Sequence, residues 1–366
     1  MQGRASTTRP VASLRDSSAC SDRKADTTST EVLKAAQEVR DAISGGLRVA
    51  LCCNGSLESI LSGVGIGYLA HAPARKLRLC KAEAAQPALD ERLVNVPAAS
   101  LDGTVAFATR VYRGFERRVS AGCPLKRSGS CPAHCKGSCA TRLALAAAND
   151  DDGVPQAIHE YVRLGFQVGP QIRNMLSDAT VARLDTLARY TLTECEHTRQ
   201  FARFSLLEDG SYFCSFRPKA DTIPLTGGYF AARMRDEKFC MVDPAHLVVA
   251  LHEPGQRRCS VSRVDPDLCG ELASASTQTA EGEKYVHAMW RRFYDSVGLD
   301  GRDASQRGYG LRAHWMPKRF WGGLVELSPE ALDPGAVVPA AYSPTGRGHT
   351  KAAVPHLGQG TAESQT

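Results

Sequence analysis

Four cysteines and a histidine crowd into "CPLKRSGSCPAHCKGSC", residues 123–139. Thiolates at Cys123, Cys131, Cys135 and Cys139 would suit tetrahedral zinc or an iron–sulfur cluster, with His134 as an alternative ligand. Their spacing lacks paired C-x-x-C knuckles, and it misses the C-x3-C-x2-C pattern of radical SAM sites by one residue. Pro132 and Gly137 break the helix that would align Cys131, Cys135 and Cys139 on one face. Two readings stand: a structural zinc, or reduced thiols in a basic insertion.

A second constellation is Glu194, Glu196, His197, Arg203 and Asp243. Glu194, His197 and Asp243 have the side chains for acid–base work on a phosphodiester or glycosidic bond, because histidine titrates near neutral pH. The competing reading is a charge cluster at a helix end, with Arg203 paired to Glu194 or Asp243. A third group is Arg203, Arg233, Arg302, Lys318 and Arg319, since guanidinium forks match phosphate geometry without reading base sequence. Trp290, Trp315 and Trp321 interleave with the C-terminal charges and could stack bases, although helical spacing favours a core role for Trp290. Gly63, Gly65 and Gly67 lack the spacing of a dinucleotide loop and lie inside an expected helix, which argues for tight packing.

The elements that must position these groups can be read from periodicity. Val32, Ala36, Val39 and Ile43 recur at helical spacing, "LRVALCC" reads as a strand, and Ser56 caps a helix over "LESILSGVGIGYLA". In "TVAFATRVYRGFERRVS" an apolar face opposes Arg110, Arg113 and Arg117, giving an amphipathic helix with a basic side. "AAANDDDGVP" reads as a linker, "QAIHEYVRLG" as a helix ended by Gly165, "GPQIRNMLSD" as a short one, and Asp178 as the cap of the next long helix. Alternation around Asp209-Gly210 signals a hairpin. "GGYFAARMRDE" reads as a helix, and "KFCMVDPAHLVVALHE" as a second strand pair turning near Asp243. Another helix follows over "EGEKYVHAMWRRFYDSVGL". The expected fold is α+β, with helices flanking a small antiparallel sheet built from two hairpins. Residues 29–328 would form a single domain with a Cys-rich insertion at about 120–150. Residues 1–28 and 329–366 would be disordered tails.

Composition supports a globular protein: 43% hydrophobic and 23% charged residues. The net charge of +6 is mildly basic, compatible with nucleic acid but not a demonstration of it. Between Arg110 and Arg142 basic residues outnumber acids eight to one. No apolar run reaches the roughly 18–20 residues of a membrane helix. The start lacks an apolar signal core. A cytoplasmic protein with thirteen mostly reduced cysteines is therefore expected.

Several blocks resemble a bacterial family of DNA metabolism proteins whose molecular function is open. "CNGSLESILSGVGIGYLA" is similar to its opening motif, and "IHEYVRLGFQVGPQIRNMLSDATVARLDTLARYTLTE" to its central helices. "FARFSLLEDGSYFCSFRPKADTIPLTGGYFAARM" resembles its hairpin and the segment after it. "EKYVHAMWRRFYDSVGLDGR" and "MPKRFWGGLVE" resemble its closing motifs. Together these span about 51–327. The resemblance implies DNA repair or modification, beside a radical SAM repair protein; a similar domain is fused to uracil-DNA-glycosylase-like domains. Glu194, Asp243, Arg203, Arg233, Arg302 and Met316-Pro317-Lys318-Arg319 match the family's motifs. Glu196 stands where the family has histidine, His197 follows one residue late, Tyr229 replaces a histidine, Phe239 a tryptophan, and His246 an arginine. These departures disfavour histidine catalysis and leave phosphate binding intact. The expectation is a DNA-binding accessory protein using Arg203, Arg233, Arg302, Lys318 and Arg319, with Arg110, Arg113 and Arg117 as a second surface. The alternatives are an enzyme acting on damaged nucleotides through Glu194, His197 and Asp243, and an adaptor for a radical SAM partner.

Overall fold

A computed structural model describes residues 29–98, 102–121, 139–274, 280–296 and 315–325. Both expected tails, Arg302, and the thiols of Cys123, Cys131, Cys135 and Cys139 lie outside what is described.

Helix α1 (Thr30–Ser44) starts where the Ser29 hydroxyl accepts from the Val32 amide. It leads into β1 (Arg48–Cys53), and α2 (Leu57–Leu69) follows with Ser56 as its cap. Strands β2 (Leu77–Lys81) and β3 (Glu91–Asn95) both pair parallel to β1, one on each side. This three-stranded parallel sheet corrects the expectation of a single antiparallel one. Neither "LRLCK" nor "ERLVN" announces itself, because each is short and mixes charged with apolar residues. The helices pack on one sheet face. Val32, Val39, Leu51, Ile60, Leu61 and Leu79 form its core.

The glycines of α2 allow that packing. A Cβ on Gly65 would stand 2.5 Å from the Phe107 ring of α3 (Asp102–Ser120), and one on Gly67 would stand 2.5 Å from Leu77. Close helix–helix and helix–strand contact is thus what the three glycines serve.

Helix α4 (Cys139–Ala147) precedes α5 (Val154–Val168), which runs through Gly165 and ends at Gly169, where φ is +62°. A 3₁₀ turn over Gly169–Asn174 follows. The long α6 (Ala179–Phe201) then begins on Asp178, whose carboxylate accepts from the Thr180 and Val181 amides.

The second sheet is five-stranded and mixed, a further correction. The hairpin β4 (Ser205–Leu206) and β5 (Tyr212–Ser215) turns at Gly210, with φ +79°. Helix α7 (Ile223–Arg233) then carries the chain across to β6 (Phe239–Asp243), which pairs parallel to β5. Strands β7 (Val248–His252) and β8 (Ser260–Arg263) continue antiparallel. The two expected hairpin signals are therefore present but are stitched into one sheet by a parallel crossover. Helix α8 (Pro266–Ser274) covers one face, where Cys269 packs among Leu207, Phe213 and Val249. Phe216, Phe230, Phe239 and Phe320 fill the other. Helix α9 (Glu281–Ser296) and a 3₁₀ turn over Lys318–Gly323 complete the described fold. Among the described residues no helix is long and apolar enough to cross a membrane.

Candidate functional site

Glu194 lies in the last turns of α6 with 2% of its surface exposed. Burying a carboxylate demands donors and a counter-charge, and the fold supplies both. Its Oε2 accepts from the Lys219 amide at 2.8 Å and from Arg319 Nε at 3.2 Å. Arg319 Nη2 grips Oε1, and His197 Nδ1 lies 3.3 Å from the same oxygen. His197 is held in turn between the rings of Phe201 and Phe320. Glu196 points outward and pairs with Arg199 at 2.7 Å. Glu194 and His197 are thus brought together. The cation that joins them is Arg319, which clasps the C-terminal turn onto α6 and so is not free for phosphate.

Asp243 sits apart, fully buried at the end of β6. Its Oδ1 accepts from the Ala245 amide, closing the turn into β7, where Leu247 takes φ +55°. Its Oδ2 lies 2.5 Å from His246 Nδ1, and His246 Nε2 lies 2.8 Å from Asp150 Oδ1. Burial alone would lower the His246 pKa, but the hydrogen bonds and charges of Asp150 and Asp243 outweigh it and lift the ring to about 10. Burial likewise works against the Asp150 charge, yet His246 and Lys81 hold that carboxyl below its ordinary range. Asp221 goes the other way: burial raises it despite the Arg263 pair at 2.7 Å, and its Oδ1 has no hydrogen-bond partner. With both ring nitrogens facing carboxylates, His246 is an imidazolium at neutral pH. In the sequence, the one signal that marks His246 is its place three residues after Asp243, in a turn between strands.

One loop joins the two clusters. Lys219 donates to Glu194, Ala220 bridges to Asn149, and the Asp221 amide donates to the Ala148 carbonyl at 2.8 Å. Asn149 Nδ2 donates to the Leu187 carbonyl, and Lys81 Nζ, at the end of β2, reaches the Asp150 carbonyl. The stretch "AAANDDDGVP", expected as a linker, is where the two sheets' modules meet.

The expected phosphate ligands scatter. Arg203 Nη1 donates to the carbonyls of Gln200 and Ala202, bracing the end of α6. Arg233 is exposed at the end of α7, and its Nη1 donates to the Tyr229 hydroxyl at 3.4 Å. The Arg199 guanidinium lies 5.7 Å from the centre of that ring. Lys318 is exposed. On α3, Phe107, Ala108, Phe115 and Val119 enter the core while Arg113 and Arg117 face outward and Arg110 lies against Phe107. Trp321 is buried, its Nε1 donating to the Met316 carbonyl. Trp290 and Trp315 are 42% and 70% exposed, so Trp290 is no core residue. No group of three or more metal-binding side chains occurs among the described residues.

The Glu194–Arg319 clasp ties positions 125 residues apart, and both positions fall inside a stretch that matches a known family. Residues 152–326 match DUF4130, a domain of unknown function. The DUF4130 region contains Glu194, His197, Arg233, Asp243, His246 and Arg319. Lys81, Asp150 and the basic helix α3 lie N-terminal to it, so the Asp150–His246 contact crosses the DUF4130 boundary. No curated protein matches the chain. A solved DHH-domain structure, described as belonging to a family of ribosomal proteins, aligns at 10% identity and a TM-score of 0.33. The alignment covers 67% of this chain and 89% of that one; a likeness this slight carries no argument.

Proposed function

We propose that this protein binds DNA through its phosphates, as an accessory in repair or modification. The observation that supports this is the Arg199–Tyr229–Arg233 surface on α6 and α7. A half-exposed aromatic ring has one guanidinium over its face and another at its hydroxyl. A ring that stacks a base beside cations that meet phosphates is the arrangement single-strand binders use. The outward arginines of α3 form a second surface, and Arg302 and Lys318 belong to the same reading. Glu194 and Arg319 satisfy each other inside the fold, so that clasp is left out of the phosphate surface. Filter binding of single- and double-stranded DNA across a salt series tests the proposal. Affinity should fall steeply with salt, and Tyr229→Ala with Arg233→Glu should weaken it at least tenfold. Affinity that is absent at low salt, or indifferent to salt, ends it.

A second reading, catalysis on damaged nucleotides, rests on Asp243. It fixes His246, whose Nε2 faces a carboxylate that is 55% exposed. Release of Asp150 would bare the N–H of that imidazolium as a general acid. Turnover of lesion-bearing oligonucleotides lost in His246→Asn supports this reading; no turnover by the unaltered protein rejects it. Cytoplasmic location, a radical SAM repair partner and a structural zinc on Cys123, Cys131, Cys135 and Cys139 complete the proposal. Co-purification of the partner, lost on deleting 120–145, and metal content, lost on replacing the four cysteines by serine, test the last two.

A further inference from the structure

Cys52 and Cys80 are register partners on neighbouring parallel strands, and their Sγ atoms lie 3.9 Å apart. Both are free thiols. Neighbouring strands are spaced roughly 4.8 Å, inside the ~4.4–6.8 Å Cα window that disulfides occupy. The backbone therefore already holds the two residues at bonding separation, and rotation of the side chains brings the sulfurs together. Cys53, the next residue, does not compete. It faces the opposite side of the sheet and packs in the helical core with Leu51 and Ile60.

The cover over the pair follows from topology. Because β3 pairs on the far side of β1, the connection from β2 must cross the sheet face that the helices leave open. That connection is "AEAAQPALD", residues 82–90, tied down by the Arg78 guanidinium on the Gln86 carbonyl. Ala85 packs on Ala50, Cys52 and Cys80, while the rest of the connection is exposed. The two thiols are 5% and 6% exposed beneath it. A small oxidant has to pass one thin strap rather than a packed core.

We propose that Cys52 and Cys80 close a reversible disulfide between β1 and β2 when the protein meets hydrogen peroxide. The thiolate of one cysteine attacks a peroxide oxygen, the O–O bond breaks, and the departing hydroxide takes up a proton as water. The sulfenic acid so formed is attacked by the second sulfur. An S–S bond forms, the S–O bond breaks, and a second water leaves with the remaining proton. Two thiols are oxidised by two electrons in total and one peroxide is reduced to two waters. A dithiol reductant restores the pair. Burial and the neighbouring Cys80 push the Cys52 thiol up to about 11, so the thiolate is scarce at neutral pH. Oxidation should quicken about tenfold for each pH unit while pH stays below that value.

In the test, the full chain is oxidised with hydrogen peroxide in mildly alkaline buffer, and remaining thiols are blocked with N-ethylmaleimide. Unreduced tryptic peptides are then weighed. The expected product joins peptide 49–75, with one maleimide on Cys53, to peptide 79–81, two hydrogens lighter than the sum of the two peptides and that adduct. The thermal midpoint should rise with it, and dithiothreitol should reverse both. Cys53→Ser should keep the link, whereas Cys52→Ser and Cys80→Ser should lose it. If Cys53→Ser does not fold, fragmentation of the linked wild-type peptide assigns the bonded sulfur. Maleimide on both Cys52 and Cys80 after oxidation, or either one joined to a different cysteine, overturns the proposal.

Discussion

At Glu194 a guanidinium fork, a backbone amide and an imidazole nitrogen converge on one buried carboxylate. Breaking such a pair from one side leaves the partner charge uncompensated. Glu194→Gln should therefore cost about 3 kcal/mol in urea unfolding. Arg319→Lys keeps the charge but loses the planar fork and should cost less. Equal, negligible losses for both would mean that the clasp contributes nothing to stability. Glu194 and His197 were legible as a polar group because they sit three residues apart on one helix. Arg319 was legible only as one more arginine, since its partner lies 125 positions away and no local period connects them. His246 was hidden for a related reason: what distinguishes it is Asp150, on a different module.

At the scale of elements, the glycines of α2 and α7 separate two kinds of helical glycine. A methyl on Gly65 would meet a rigid phenyl ring at 2.5 Å, so Gly65→Ala should destabilise by roughly 1–3 kcal/mol through overpacking. Gly228, inside α7, has nothing within 4 Å of its would-be Cβ. There Gly→Ala should stabilise by about 0.5–1 kcal/mol, through propensity alone. Thermal or urea unfolding of the two variants should move in opposite directions. Elements with a local chemical signature were legible: Ser56 and Asp178 as caps, the helical run of Val32 to Ile43, and the Asp209-Gly210 turn. Strands β2, β3 and β8 lacked one: each is short, β2 and β3 mix charges with few apolar residues, and β8 has Val261 as its one apolar residue. A parallel pairing leaves no turn motif to betray it, so the crossover from β5 to β6 looked like two separate hairpins.

For the whole molecule, the Asp150–His246–Asp243 chain is a charged latch between the two modules. The His246 pKa is raised from 6.5 to about 10 on folding. Its contribution to stability is therefore complete below 6.5 and is lost as pH climbs through about 10. Asp150 is lowered, so its share is present above the ordinary carboxylate pKa and lost as pH falls through the depressed one. Stability measured by denaturant should decline from pH 6.5 towards 10, and His246→Asn should flatten that slope; an unchanged slope would remove the latch. Composition could not show this junction, since "AAANDDDGVP" has the residues of a linker and becomes an interface only through Lys81, Ala220 and His246. The tryptophans give the same molecule an optical readout. Of its three, Trp290 and Trp315 are open to solvent, whereas Trp321 is 1% exposed inside the turn that Arg319 clasps. Acrylamide should quench two emitters readily and spare a blue-shifted third, so that release of the C-terminal turn can be followed by colour while the rest of the chain stays folded.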